Sequence, residues 1–356
     1  MRLAMLTQLL LAACLTVLQA QQGPPAPPDN LKGDRLAEWL RDNWYEDYHR
    51  TLGYDRARIA MYSDIDNDNG RIECVYSGYI VRSPKGKRTT YPKPINAEHV
   101  VPQSTFGKAE PMKSDLHHLF PTYQNWNSLR RSYPFAEIDD RDTELWLLAK
   151  AAEEDLPDAD IRDMYSEFDG RSFEPREDFK GDIARAVLYF YTAYPRQGDP
   201  SRIADLETLC AWHRQDPPSA QERKRNDRIA YYQGNRNFYV DHPELVSRVY
   251  ECPTEVTVEK PTIPPLATPT YSDYKVMSMT VESAPGAWLL RLRYPRTDAA
   301  KVYVRNAMGK AIATYDFELK GIENMLRIST DALQKGGYTL EVDAEGMLMM
   351  VTVEVE

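Results

Sequence analysis

Residues 253–270, PTEVTVEKPTIPPLATPT, are rich in proline and threonine and show no helical periodicity. Proline donates no amide hydrogen bond and holds φ near −65°, so such a segment completes neither a helix nor a central strand and reads as a semi-rigid linker. The chain of 356 residues must therefore fold as two bodies, and the patterns on the two sides of the linker differ. Behind it, residues 271–356 hold seven short alternating runs (KVMSMTVE, WLLRLRY, KVYVRN, AIATYDFE, MLRIS, YTLEV and MLMMVTVEV) separated by Gly, Pro, Asp or Asn, which predicts a compact β-sandwich. Ahead of it, residues 34–51 place Leu36, Trp39, Leu40 and Trp44 on one helical face. Residues 181–194 read as a buried helix, 202–214 as another, and 219–232 as an exposed amphipathic one. Residues 71–82 are β-rich. The fold class is α+β: a mainly helical body over residues 34–252 with a small β element, then an all-β domain.

At the other end, the apolar residues 3–20 follow Arg2, finish in small side chains and give way to a proline-rich leader over 21–33. Residues 1–20 thus read as a secretory signal peptide cleaved near Ala20. A second reading takes LAAC, residues 11–14, as a lipobox with Cys14 as a lipid-anchored N-terminus. Either places the protein outside the cytoplasm: secreted, periplasmic or at the cell surface. No other run reaches the roughly 20 apolar residues of a membrane span. Beyond the signal remain Cys74, Cys210 and Cys252. An odd count in an exported chain allows one internal disulfide and a spare thiol, and Cys210 with Cys252 is the favoured pair because both lie near helix ends in the same part of the chain. No CxxC spacing occurs, so structural zinc is not expected.

The net charge of −10 argues against a polyanionic partner until its distribution is considered. Residues 81–135 carry nine Lys/Arg against three Asp/Glu, whereas residues 136–182 carry six against seventeen. The first patch alone can bind phosphates, although both are also what ordinary solvated faces look like.

Within the basic patch, residues 96–135 concentrate the chemistry: NAEHVVPQSTFGKAEPMKSDLHHLFPTYQNWNSLRRSYPF. Glu98 and Asn127 offer a carboxylate and a carboxamide oxygen, a donor set for a hard cation that keeps several waters, such as magnesium. His99, beside the ligand but not on the metal, would activate water with an ordinary pKa of about 6.5. Arg130 and Arg131, placed on the same helix as Asn127, and Arg185 in GDIARA are candidates for substrate phosphate, against the plain alternative of structural ion pairs. In DLHHL, His117 and His118 sit among apolar residues, where a hydrogen-bonded structural histidine is the commoner outcome. No HExxH spacing exists, which disfavours a zinc peptidase. The alternating Asp64, Asp66 and Asp68 resemble part of a calcium loop but lack its glycine and terminal glutamate, so an Asn-Gly turn comes first.

Three separated blocks, EHVVPQSTFG, SDLHHLFPTYQNWNSLRRSYPF and LCAWHRQDPPSAQERKRNDRIAYYQGNRNFYVDHPELV, closely resemble the bacterial endonuclease I family over residues 35–250. These are secreted or periplasmic nucleases of the ββα-metal, or His-Me finger, class. The resemblance implies His99 as general base and Glu98 and Asn127 as ligands of one divalent ion. That ion would be magnesium, with manganese or calcium as substitutes. It further implies nonspecific cleavage of DNA, and often RNA, to 5′-phosphate and 3′-hydroxyl ends by a monomer. Phe238 stands where the family more often has proline. The acidic stretch 136–182 has no clear counterpart and reads as an insertion that repels nucleic acid from the groove. More weakly, residues 271–356 resemble the sorting modules of type IX secretion, which would make secretion machinery a partner or the module an adhesive one. The competing class is a non-catalytic surface or nucleic-acid-binding protein that retains a nuclease scaffold.

Overall fold

The structure, a computed structural model, describes residues 24–252, 278–293, 298–307, 310–319, 323–344 and 347–355. The signal segment and the linker over 253–270 lie outside the described residues.

Helix α1 (Gly33–Leu40) runs on through wider turns to Glu46; of the face that the spacing marked, Leu36, Leu40 and Trp44 are buried and Trp39 is half-buried against the same core. The end of the leader packs on this body: Trp44 Nε1 donates to Pro25 O at 2.9 Å and Arg248 Nη2 to Leu31 O at 3.1 Å. Helix α2 (Tyr54–Ala60) follows. A tight turn at Asn69-Gly70, both at positive φ (+52° and +89°), then opens strand β1 (Arg71–Glu73), which pairs with β2 (Ile80–Arg82). Two consecutive positive-φ residues are what an Asn-Gly hairpin turn requires, so that expectation holds. The acids before it are occupied by protein: Asp66 pairs with Arg225 at 2.7 Å, and Asp64 meets Lys85 at 3.3 Å and Tyr232 at 3.2 Å. The calcium alternative is therefore dropped.

Strand β3 (Ile95–His99) runs antiparallel to β4 (Leu119–Tyr123) in the register Ile95↔Tyr123 to His99↔Leu119, and α3 (Gln124–Arg130) begins at the very next residue. The acidic stretch is itself a folded sheet. Its strands β5 (Leu145–Leu148), β6 (Ala151–Glu153), β7 (Ser166–Phe168) and β8 (Phe173–Glu174) lie in the order β6-β5-β7-β8, all antiparallel. These strands are too short for alternation to reveal, and three of them carry an acid themselves: Glu153, Glu167 and Glu174.

The core is built around α4 (Lys180–Ala193), in which every residue but Asp182 is buried. Gly181 is required there, because a Cβ would stand 1.9 Å from Asp216 O. Helix α5 (Leu206–Gln215) packs on it. Helix α6 (Ala220–Gln233) opens with Ser219 Oγ accepting from Glu222 N and ends at Gly234, at φ +94° with its Cα against Tyr48 O. Two short helices close the body, α7 (Phe238–Asp241) and α8 (Leu245–Tyr250). The Cys210–Cys252 disulfide ties α5 to the residues after α8, closing a loop of 42 residues worth about 4 kcal/mol by loop entropy. Cys74 is the buried free thiol.

All seven C-terminal runs are strands: β9 (Ser278–Ala284), β10 (Ala287–Arg293), β11 (Asp298–Asn306), β12 (Ala311–Leu319), β13 (Glu323–Ser329), β14 (Gly336–Ala344) and β15 (Met347–Val355). They form two antiparallel sheets, β13-β10-β9 and β12-β11-β14-β15, over an apolar core that includes Trp288, Leu290, Val302, Val304, Ile328 and Leu340. Arg82 of β2 pairs with the buried Glu341 of β14 at 2.5 Å, so the two bodies touch.

Candidate active site

Glu98 and His99 are the last two residues of β3, and both are buried. Glu98 Oε1 accepts from Tyr76 Oη at 2.9 Å and from Arg130 Nη1 at 3.1 Å, while Oε2 receives neither bond. Burial pushes this carboxyl upward, and the Arg130 charge and the Tyr76 bond oppose it. Because α3 starts where β4 ends, its last turn folds back over the end of β3 and delivers Arg130 there. Arg130 also donates to His99 O at 3.2 Å and Val100 O at 2.9 Å, and its guanidinium lies 4.3 Å from the Phe135 ring centre. With a relative exposure of 0%, Arg130 has no face for a substrate phosphate; it fixes Glu98 instead.

His99 Nε2 lies 3.0 Å from Lys113 O. A carbonyl only accepts, so Nε2 carries the proton and Nδ1 keeps its lone pair. Burial, reinforced by the neighbouring charges of His118, Lys113 and Arg58, brings the His99 pKa down to about 3, not the ordinary value expected from sequence. The ring is neutral throughout the physiological range.

Asn127 lies one turn into α3 and faces β3. Its Nδ2 donates to Asn96 Oδ1 at 2.9 Å and to Ala97 O at 3.2 Å, which leaves Oδ1 as the free acceptor next to the Glu98 strand. The hairpin thus brings Asn127 against the Asn96–Ala97 part of β3, the strand that ends in Glu98 and His99. Arg131 is beyond the helix end, at φ +51° and exposed, and no ion pair engages it among the described residues. Arg185 is elsewhere altogether. It is fully buried in α4, donating to Glu222 Oε1 at 2.7 Å, Asp216 O at 2.7 Å and Asp182 Oδ1 at 2.9 Å, so its expected role at phosphate gives way to a structural ion network.

Two cations that the motif did not flag face His99. The Tyr54 ring of α2 lies 5.5 Å from the His99 ring, with the Arg58 guanidinium 4.3 Å and Lys113 Nζ 4.9 Å from the Tyr54 ring centre. Lys113 lies in the loop joining β3 to β4, so the hairpin itself returns it to the site. Arg58 comes from an unrelated helix, and only its spacing from Tyr54 along one helical face hinted at a pair.

His117 and His118 are both structural. His117 Nε2 donates to Asn235 O at 3.2 Å and His118 Nε2 to Met112 O at 2.6 Å. Between them and the core, buried Asp115 accepts from His117 N, Gln233 Nε2, Tyr189 Oη and Tyr194 Oη. Burial alone would raise this carboxyl, yet the surrounding histidines and Gln233 hold it well below the usual range.

One cluster of acids, Glu137, Glu174 and Glu177, has the spacing to hold a metal ion. It already holds a cation: Lys180 Nζ lies 3.0, 2.6 and 2.7 Å from their oxygens. Burial would neutralise this amine, and the three carboxylates keep it charged.

The family model for endonuclease I matches residues 40–244. An extracellular ribonuclease of Bacillus subtilis (strain 168) is 35% identical over 176 residues, 44% of this chain and 54% of the relative. The chain thus spans about half the length of that relative. An extracellular ribonuclease of Bacillus amyloliquefaciens is 31% identical over 221 residues, 57% of this chain and 70% of that protein. An extracellular deoxyribonuclease of Aeromonas hydrophila is 26% identical over 251 residues, covering 65% of this chain and 96% of that protein.

Proposed function

Since the chain belongs to the endonuclease I family, we propose that it is an exported nuclease that cleaves DNA, and RNA as a second substrate, without sequence preference and with one divalent ion. Secretion or periplasmic location agrees with the relatives, which are extracellular or periplasmic nucleases. One observation supports the mechanism: the Nε2 bond to Lys113 O leaves the Nδ1 lone pair free on a neutral His99, the residue after Glu98.

The donors fit a magnesium-like cation, since Glu98 Oε2 and Asn127 Oδ1 are hard oxygens whose partner atoms are already satisfied. When bound, such an ion neutralises charge on the scissile phosphate and on the departing oxygen. His99 Nδ1 takes a proton from the attacking water. The new bond forms between that water's oxygen and phosphorus, the bond from phosphorus to the 3′-oxygen breaks, and the 3′-oxygen gains a proton from solvent. The products carry a 5′-phosphate and a 3′-hydroxyl. Arg58 and Lys113 meet the phosphate oxygens in place of Arg130 and Arg185, and Arg131 meets a flanking phosphate. We assign the C-terminal sandwich to sorting or adhesion; cleavage of the module during export would support sorting.

The test is digestion of supercoiled plasmid by the mature protein in magnesium and in EDTA, beside His99→Ala. Loss of cleavage in EDTA and in the variant is expected. A wild-type protein inactive with every divalent ion would instead establish a binding protein on a nuclease scaffold.

A further inference from the structure

Several cations of the helical body are held in ion pairs: Arg130, Arg176, Arg185, Arg225 and Arg236. The loop 83–94, SPKGKRTTYPKP, gathers cations beside the site that are not. Lys85 pairs with Asp64, but Lys87, Arg88 and Lys93 are exposed and no ion pair engages them among the described residues.

This loop is held in place rather than left to swing. Near its start, Gly86 N donates to Ser63 O at 2.8 Å and Ser83 O accepts from Asn67 Nδ2 at 2.8 Å. Its far half is anchored on the active site itself. Thr90 O accepts from Arg58 Nη1 at 3.1 Å, the same guanidinium that faces Tyr54 beside His99. Tyr91 Oη donates to Gln124 Oε1, and Gln124 N donates to Pro94 O at 2.9 Å; Gln124 opens the helix that carries Asn127. The ring of Tyr91 is 37% exposed, with Lys93 Nζ 5.7 Å from its centre. Unneutralised positive charge therefore begins where the catalytic groups end, on a fixed support.

We propose that Lys87, Arg88 and Lys93 form a phosphate track that holds the substrate strand on the Arg58 side of the scissile bond. The track recognises the sugar-phosphate backbone of a polynucleotide and is indifferent to its bases, because three exposed cations on a loop read charge and spacing alone. A substrate too short to reach the loop gains nothing from it. This inference rests on the nuclease reading of the site, and its test separates the two.

The variant is Lys87→Gln/Arg88→Gln/Lys93→Gln, at surface positions outside the catalytic groups. Two readouts are compared with wild type. The first is binding of a fluorescent oligonucleotide of about 20 residues by anisotropy in EDTA, over roughly 50–200 mM salt. The second is hydrolysis of bis(4-nitrophenyl) phosphate, a single phosphodiester, with magnesium. We expect oligonucleotide affinity to fall at least tenfold at low salt and the log–log salt slope to shrink by about 2, with the small diester cleaved at the wild-type rate. Unchanged affinity and slope overturn the track while leaving the nuclease reading intact. Equal losses on both substrates overturn it as well, by showing that the loop only shapes the catalytic site. A wild type that binds the oligonucleotide and cleaves neither substrate sinks the nuclease reading, and the track then stands on the binding difference alone.

Discussion

Two buried carboxylate sites in the helical body invite comparison. At Lys180, three glutamates close on one ammonium, and every charge is answered within the fold. At Glu98, a hydroxyl and a guanidinium both fall on one oxygen, and neither reaches the other. A set of acids at metal-binding spacing is therefore not evidence of a metal until the cation already present has been sought. On the function proposed above, the site that serves chemistry is the one whose protein partners stop short of completing it.

The difference can be broken by mutation. The largest effect belongs to Glu98→Gln, which keeps an oxygen for Tyr76 and removes the charge offered to a cation. Plasmid cleavage per folded molecule should fall by about a thousandfold or more, while urea unfolding shows a loss of about 3 kcal/mol because buried Arg130 loses its ion pair; a variant active per folded molecule would end the assignment of Glu98. Lys180→Met should do the reverse. Removing the cation that three acids share should cost about 3–5 kcal/mol of stability in urea titration, with normal cleavage per folded molecule. Should that variant lose activity while remaining fully folded, the two sites are not independent. Tyr76→Phe sharpens the comparison, because Tyr76 acts through Glu98. The magnesium concentration giving half-maximal rate should rise about 10- to 100-fold, with the rate at saturating metal nearly preserved.

The smallest effect is one of pH. Burial lowers the pKa of His117 and of His213 to about 4, and that of His118 also falls. Each imidazole is neutral when folded and takes a proton near pH 6.5 when unfolded, so the unfolded state binds more protons below that point. The contribution of these histidines is full above about pH 6.5 and declines as the pH drops toward 4, while Asp216, pushed up to about 7 by burial, works in the opposite sense. His118→Asn, measured by urea unfolding across that window, should flatten part of the decline.

How far the sequence reached depended on whether neighbours in space were neighbours in pattern. The strand, loop and helix that carry Glu98, His99 and Asn127 lie within about 30 residues, so the hairpin itself followed from local order. The C-terminal strands were legible because an alternating face against a core leaves period two in the sequence. The β5–β8 sheet was not, since its strands of two to four residues carry no period and its acids masked them. Arg130 and Arg185 were misjudged for one reason: a basic residue in sequence shows its charge but not its partner. Glu98 is 32 residues from Arg130 and Glu222 is 37 from Arg185, and only the fold joins them. Arg58 was missed for the same reason in reverse, its place beside His99 being set by the packing of α2.

Cys252 is the last described residue before the proline-rich segment, and it is bonded to Cys210 in the middle of α5. Tension drawn through that segment by an anchored C-terminal module would enter the enzyme at the disulfide and spread into the packed α5–α4 pair, bypassing the six residues of α8. If the C-terminal module does anchor the protein, a pull on it would load a covalent bond before it could peel a helix.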